Sequence, residues 1–142
     1  MSATLSPSHL RSPLHRAAIL AVGSELLTPS RLDTNSLFIT EQLNLLGIEV
    51  AYKSVIGDDR EELAIAVRGA LDRVGFVVCC GGLGPTDDDV TREVVAQVLQ
   101  RPLVEDARIT AQIEARFASR RMEMPAINRR QAMVPSGARV LN

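Results

Sequence analysis

The stretch that most constrains the fold of this chain runs from Gly81 to Asp89, with the sequence GGLGPTDDD. The apolar run before it, residues 76–80, is typical of a buried strand. Apolar residues at helical spacing follow it, from Val90 to Leu99. The pattern therefore predicts a strand, a glycine loop and a helix, in an arrangement that lets a ligand approach the backbone at a helix N-terminus.

A phosphate is the usual anion at such a helix start, but the three aspartates of this loop oppose it. A carboxylate about 4 Å from a phosphate charge costs roughly 4 kcal/mol at an effective dielectric of about 20. The helix N-terminus returns only about 0.3–1 kcal/mol. We therefore expect Mg²⁺ or another divalent cation, held by carboxylate oxygens, beside any bound phosphate. The alternative is that Asp89 caps the next helix while Asp87 and Asp88 face water.

The loop matches neither common nucleotide fingerprint. A P-loop needs a lysine after its glycines, and the chain's one lysine is Lys53. A dinucleotide fingerprint needs a further glycine where Asp87 stands.

Composition limits the classes of partner. The chain has 142 residues, a net charge of −1 and 3% aromatic residues, so bulk charge and stacking do not favour a nucleic acid. No apolar stretch is long enough to span a membrane. Cys79 and Cys80 are adjacent on a predicted buried strand and point to opposite faces, so free thiols and a reducing cytoplasm are expected.

Three β-turn-α units follow one another, with strands predicted at residues 17–22, 49–55 and 76–80. This order favours a parallel sheet with right-handed crossovers. The strand ends carry Glu25, Asp58 and the Asp87–Asp89 run, and such ends meet at one edge of a parallel sheet. Two alternatives stay open: Glu25 is a surface carboxylate, and Asp58 forms a capping box with Glu61.

The helices and termini give further expectations. Residues 1–16 are expected to form a mobile leader. Ile39, Leu43 and Leu46 form the apolar stripe of a helix that Gly47 ends. A later helix, residues 107–121, carries a narrow stripe of Ile109, Ile113 and Phe117, a pattern that often packs against a partner. The sequence leaves open whether the chain's own sheet or another subunit covers this stripe.

The remaining segments are less regular. Residues 101–105 are predicted to be a connection and residues 128–133 one or two helical turns. Residues 134–137 are predicted to form a turn, and residues 138–141 to begin another strand.

Several short motifs occur together in one order: GSELL at residues 23–27, DTN at 33–35, GDD at 57–59, the GGLGPT-x-DD-x-T loop at 81–91, Met124-Pro125 and RQAM-x-P at 130–135. In this pattern the chain resembles the N-terminal domain of the competence/damage-inducible CinA family, within the molybdopterin-binding MoaB/MogA-like superfamily. The resemblance covers residues 17–142. It implies an α/β fold, a three-layer α/β/α sandwich with a mainly parallel sheet.

The resemblance also implies chemistry at a phosphate. CinA-type domains are associated with hydrolysis of the ADP-ribose pyrophosphate, and adenylylating relatives act on molybdopterin with Mg²⁺ and ATP. The aspartates of those relatives match Asp58 and Asp89, which are the expected catalytic residues. Asp58, Asp88 and Asp89 are the expected metal ligands. The expected ligand-binding residues are Gly81, Gly82, Gly84, Thr86, Glu25 and Asn35. The oligomeric habit of the family implies a homodimer with the helix at residues 107–121 near the interface.

Other outcomes of the resemblance stay open. The domain is alternatively a pterin- or nucleotide-binding module without turnover, an adenylyltransferase-like domain, or a scaffold with a vestigial site. The chain departs from the family pattern at Pro29, at Arg121 and at residues 126–128, which puts contacts of the last loop in question. Family members continue with closing strands beyond the position of Asn142, and full-length bacterial members add a deamidase domain; no deamidation is predicted here.

Overall fold

The structure is a computed structural model, and it describes residues 15–141. Its strands are β1 (Arg16–Val22), β2 (Glu49–Ile56), β3 (Phe76–Cys80), β4 (Leu103–Glu105) and β5 (Met133–Pro135). Its helices are α1 (Thr34–Leu45), α2 (Arg60–Leu71), α3 (Thr91–Val98) and α4 (Ala107–Ser119), with 3-10 helices at Ser24–Leu27 and Ala126–Ala132. The predicted leader lies outside the described residues except for its last two, and Arg16 already belongs to β1.

The main sheet is parallel and has the strand order β2-β1-β3. The apolar strand β1 lies in the middle, and Ala17 to Val22 are each at most 1% exposed. β1 pairs with β3 from Ala17↔Phe76 to Ala21↔Cys80. Because the three strands are parallel, the loops that follow them emerge at one edge of the sheet, as predicted.

Alternating residues of β1 face two different helix layers. Ala17 and Ile19 pack with Leu43 of α1 on one face. Leu20 and Val22 pack with residues of α2 and α3 on the other, including Leu63 and Val94. The predicted three-layer α/β/α sandwich is therefore confirmed.

Aspartates cap three of the four helices. Asp33, Asp59 and Asp106 each accept hydrogen bonds from backbone N–H groups in the first turns of α1, α2 and α4. Gly47 has a φ of 74°, the left-handed conformation expected just beyond a helix C-terminus. The predicted apolar stripe of α1 is wrong at one position. Leu46 lies just beyond the end of the helix, and its side chain is 74% exposed instead of facing the sheet.

The C-terminal part of the chain forms a small second sheet. β4 and β5 pair antiparallel, from Leu103↔Pro135 to Glu105↔Met133. The predictions of a connection at residues 101–105 and of a strand from residue 138 were wrong: the strands are β4 and β5, and residues 136–137 turn. Strands of three residues are too short to show a period in the sequence.

Within residues 15–141 the structure contains no helix with both the length and the apolarity needed to cross a membrane. Cys79 and Cys80 are both free, as expected.

Candidate functional site

The loops after β1 and β2 are joined by a reciprocal pair of hydrogen bonds. The Ser24 N–H donates to Asp58 Oδ2 at 3.0 Å, and the Asp58 N–H donates to the Ser24 hydroxyl at 3.0 Å. The capping-box alternative for Asp58 is wrong, because Asp59 caps α2 through the N–H groups of Glu61 and Glu62. The Asp58 carboxylate therefore bonds to the loop after β1, at the edge of the sheet, and does not cap α2.

The first two glycines of the central loop lie where no side chain fits. Gly81 has a φ of 90°, and a Cβ there would collide with the carbonyl oxygen of Val22 in β1. Gly82 has a φ of 59°, and its Cβ would meet Oγ1 of Thr91. Thr91 closes the turn, since its hydroxyl donates to Gly81 O at 2.8 Å and its N–H to Gly82 O at 3.1 Å. The glycines thus bring the loop against the end of β1.

Asp89 folds the loop back on itself. One oxygen accepts the Gly84 N–H at 2.7 Å, and the other accepts the N–H and hydroxyl of Thr86 at 2.9 and 2.6 Å. Burial alone would raise the pKa of Asp89, but these hydrogen bonds and the charge of Arg92 outweigh it and lower the pKa. The proposed cap on α3 is wrong: its N-cap is Val90, and no side chain caps it.

Two arginines donate hydrogen bonds to carbonyl oxygens of the glycine loop, and neither was predicted as a site residue. Arg92 donates to the carbonyl oxygens of Leu83 and Gly84, the latter at 2.6 Å. Arg130 donates to Pro85 O at 3.2 Å and forms ion pairs with Asp87 at 2.8 Å and Glu93 at 3.2 Å. The only signal for Arg130 was its place in the RQAM motif.

A pocket of about 470 Å³ opens at the same edge of the sheet, between the loop after β1, the start of α1 and the end of β3. Of the predicted ligand-binding residues, Glu25, Asn35 and Gly81 line it. Arg31, Asp33 and Cys80 line it as well. Burial, followed by the nearby charge of Asp33, raises the pKa of the Cys80 thiol, which keeps it protonated at neutral pH.

The other predicted site residues lie outside this lining, on the glycine loop that begins at Gly81 and on the loop after β2, which Asp58 joins to Ser24. They are Asp58, Gly82, Gly84, Thr86, Asp88 and Asp89. The structure thus divides the predicted site into a pocket at the N-terminus of α1 and two loops beside it.

The carboxylates fit only one kind of metal site. Within residues 15–141, no group of three or more His, Cys, Asp or Glu side chains is placed to hold a metal ion. Both oxygens of Asp89 already accept hydrogen bonds, whereas Asp58 keeps one oxygen that no described residue contacts. Such a donor set fits a hydrated Mg²⁺ that shares its coordination with ligand phosphates, and it does not fit an all-protein cage.

Comparison with known families identifies the domain. A family model described as "Probable molybdopterin binding domain" matches residues 18–140. The chain belongs to this family. The match covers the sandwich from Ala18 of β1 onward and the whole of the small second sheet, and so includes every loop described above.

Relatives of this molybdopterin-binding domain include CinA-like proteins. One from Solibacter usitatus is 53% identical over 125 residues, which cover 88% of this chain and 30% of the relative. A putative competence-damage inducible protein from Symbiobacterium thermophilum is 48% identical over 125 residues, with 88% and 29% coverage. The chain therefore spans about 30% of the length of these curated relatives.

Solved structures of similar proteins support the same fold and family. A CinA protein from Thermoplasma acidophilum superposes with a TM-score of 0.81 at 32% identity, covering 90% of this chain and 75% of that one. The tungsten cofactor synthesizing protein MoaB from Pyrococcus furiosus gives a TM-score of 0.57 at 24% identity, with 78% and 66% coverage, and shows the fold alone. The resemblance to the CinA N-terminal, MoaB/MogA-like domain is confirmed.

Proposed function

We propose that this domain binds the pyrophosphate of a nucleotide-like small molecule, such as ADP-ribose, and hydrolyses it with a divalent cation. The observation that carries the proposal is the hydrogen-bonded junction of Ser24 and Asp58. It holds the Asp58 carboxylate at the residue that precedes Glu25, and Glu25 lines the pocket together with Asn35 and Gly81. Similarity to CinA-like proteins supports the choice of ligand class.

Each group has a part in the proposal. Arg31 and Asn35 line the pocket and supply donors to the ligand. Gly81 and Gly82 bring the loop against the end of β1, and this places the backbone of Gly81 in the pocket lining. Asp89 holds the N–H groups of Gly84 and Thr86, so it shapes the loop.

Asp58 and the exposed Asp88 are the proposed ligands of the cation, directly or through water. When bound, Mg²⁺ neutralises phosphate charge and activates water. Asp58 also orients the Ser24 backbone, so one carboxylate links the cation to the loop after β1.

The test compares two neighbouring aspartates. Purified protein is incubated with ADP-ribose and Mg²⁺ or Mn²⁺, and AMP release is measured. Asp58→Asn keeps the hydrogen bond from Ser24 but removes the charge, and we expect it to abolish metal-dependent release. Asp59→Asn is the matched control, because asparagine caps a helix as well as aspartate; it is expected to retain activity. Equal activity of the two variants would contradict the role of Asp58, and no AMP release by the wild type would contradict hydrolysis.

A second candidate is binding of a pterin or nucleotide without turnover, or adenylyl transfer to molybdopterin. The lack of a three-ligand metal group among residues 15–141 favours simple binding, and the family description supports a pterin ligand. Calorimetry measures the binding of molybdopterin and of ADP-ribose. Tight binding without product formation would support a binding domain rather than a hydrolase.

Assembly and location complete the proposal. A homodimer with α4 near the interface is proposed from its narrow apolar stripe. Light scattering tests it by comparing the mass of the wild type, expected to be dimeric, with that of the Phe117→Asp variant, expected to be monomeric.

A cytoplasmic location is proposed from the two free thiols. The proposed ligand is a small molecule, not a nucleic acid.

A further inference from the structure

A second concave site lies on the far side of the glycine loop, against α4. It is a cleft of about 740 Å³, within the usual range for a small-molecule site. Ile109, Ile113 and Phe117, the stripe of α4, line one wall, and Met133 and Pro135 of β5 line another. The three side chains of the stripe are half-buried, and together with β5 they give the cleft two apolar walls.

The charges that line this cleft have one sign. Arg92, Arg116 and Arg120 contribute to the lining, and no aspartate or glutamate does. Within the described part of the chain, the guanidinium groups of Arg116 and Arg120 make no hydrogen bond or ion pair. The nearest acid of α4 in sequence, Glu114, instead pairs with Arg129 and lines a different pocket. The positive charges of Arg116 and Arg120 are therefore not neutralised from within residues 15–141.

Arg92 adds a buried donor. Its two terminal nitrogens hold the carbonyls of Leu83 and Gly84, while its Nε is buried and has no partner among the described residues. Burial lowers the pKa of Arg92, more than nearby carboxylates raise it, yet an arginine stays charged at neutral pH. A buried donor without an acceptor is unfavourable, and Arg92 adds a third positive charge to the cleft lining.

We propose that this cleft binds a small amphiphilic anion, with an aromatic or aliphatic body against the α4 stripe and a phosphate or carboxylate among the arginines. The apolar walls account for the body, and the unpaired arginines account for the charge. The site stands apart from the sheet-edge pocket: the two share no lining residue. It does not rest on the proposed hydrolysis, and it is an alternative to the proposed dimer, because both use the stripe of α4.

The test uses three probes that separate the two halves of the ligand. Binding of 1-naphthyl phosphate, of neutral 1-naphthol and of inorganic phosphate is followed by amide chemical shifts of the full chain. We expect 1-naphthyl phosphate to shift amides of α4 and β5 and to bind at least about tenfold more tightly than either of the others. Its affinity is expected to fall as salt is raised.

Variants decide where the probe binds. Arg116 and Arg120 are exposed, so the double variant Arg116→Gln/Arg120→Gln is expected to fold and to weaken 1-naphthyl phosphate binding by about tenfold or more. Arg68→Gln, which removes an exposed arginine of α2, is the matched control and is expected to leave binding unchanged. Equal affinity for 1-naphthol, or equal loss in both variants, would overturn the proposal. The proposal would also be overturned if 1-naphthyl phosphate binding disappeared as the protein concentration was raised and a dimer formed, because a second copy would then cover the cleft.

Discussion

Ser24 and Asp58, which lie 34 residues apart in the chain, exchange two hydrogen bonds of 3.0 Å between their backbone N–H groups and side-chain oxygens. Ser24→Ala removes the hydroxyl that accepts the Asp58 N–H. We expect the free energy of unfolding to fall by about 0.5–1.5 kcal/mol, as for one lost hydrogen bond.

Urea denaturation measures this loss, with Ser136→Ala as the control. Ser136 also lies in a turn, but its hydroxyl makes no hydrogen bond within residues 15–141. Its backbone N–H donates to Pro102 O at 2.8 Å, and alanine keeps that bond. If the two variants changed the free energy of unfolding equally, the hydrogen bonds between Ser24 and Asp58 would contribute nothing to stability.

Two glycines are expected to respond to alanine with opposite signs. Gly82→Ala forces a Cβ against Thr91 at a φ of 59°, and should lower the free energy of unfolding by about 1–3 kcal/mol. Gly69→Ala lies in α2 with no atom within 4 Å of the new Cβ, and should raise it by about 0.5–1 kcal/mol. Thermal or urea unfolding gives both values. Stabilisation by Gly82→Ala would mean that the loop relaxes freely.

The stability that Asp89 provides is expected to depend on pH. Its pKa is lower in the folded protein than the ordinary value of 3.8, so the folded state favours the carboxylate. This contribution is complete above that ordinary value and is lost as the pH falls through the lowered, folded pKa. Asp89→Asn should therefore destabilise the protein at neutral pH and progressively less as the pH falls below 3.8. Urea titrations from neutral pH into this acid range test it, with Asp88→Asn as control; a difference that stays constant with pH would contradict it.

Arg130 is expected to restrain the glycine loop. Arg130→Gln removes its ion pairs with Asp87 and Glu93 and its bond to Pro85 O. Since the pairs are partly exposed, we expect global stability to fall by only about 0.5–1 kcal/mol, while the amides of Gly84 and Thr86 exchange with deuterium several-fold faster. Arg129→Gln, on the same 3-10 helix but paired with Glu105 and Glu114, should leave these amides unchanged. Identical exchange in both variants would refute the restraint.

The half-buried thiol of Cys79 is expected to react slowly with thiolate-directed reagents. Burial, and secondarily the neighbouring Cys80, raises the pKa of Cys79 to about 11, so at pH 8 only about one molecule in a thousand carries its thiolate. The Cys80→Ala variant isolates Cys79, and its reaction with Ellman's reagent should be slow in buffer and fast in urea. Equal rates in the two solvents would show that Cys79 is not protected.

The sequence predicts the sandwich well because its strands and helices repeat with clear periods. The strands at residues 76–80 and 17–22 were correct to within one residue, and the acids were correctly placed on loops at one sheet edge. The aspartate that caps α2 was missed by one position, because Asp58 and Asp59 have the same capping chemistry and only the path of the backbone decides between them.

Contacts between distant residues could not be predicted in this way. Arg130 meets Pro85 and Asp87 across 45 and 43 residues of chain, and nothing in the local pattern of either segment indicates the partner. The inward orientation of Asp89 is also a property of the folded loop, since an aspartate before a helix is equally suited to a cap. The roles of Asp58, Asp88 and Asp89 toward a ligand stay predictions.

The pairing of β1 with β2 has one irregularity, between Ala17 and Ala18, where the partner changes from Val50 to Tyr52. From Ala18 to Val22 the pairing then continues without interruption to Ile56, and it ends where Ser24 and Asp58 meet. The irregularity therefore lies at the beginning of these strands, away from the candidate site. The uninterrupted pairing after it keeps the ends of β1 and β2 aligned, and this alignment brings the loops that carry Ser24 and Asp58 together.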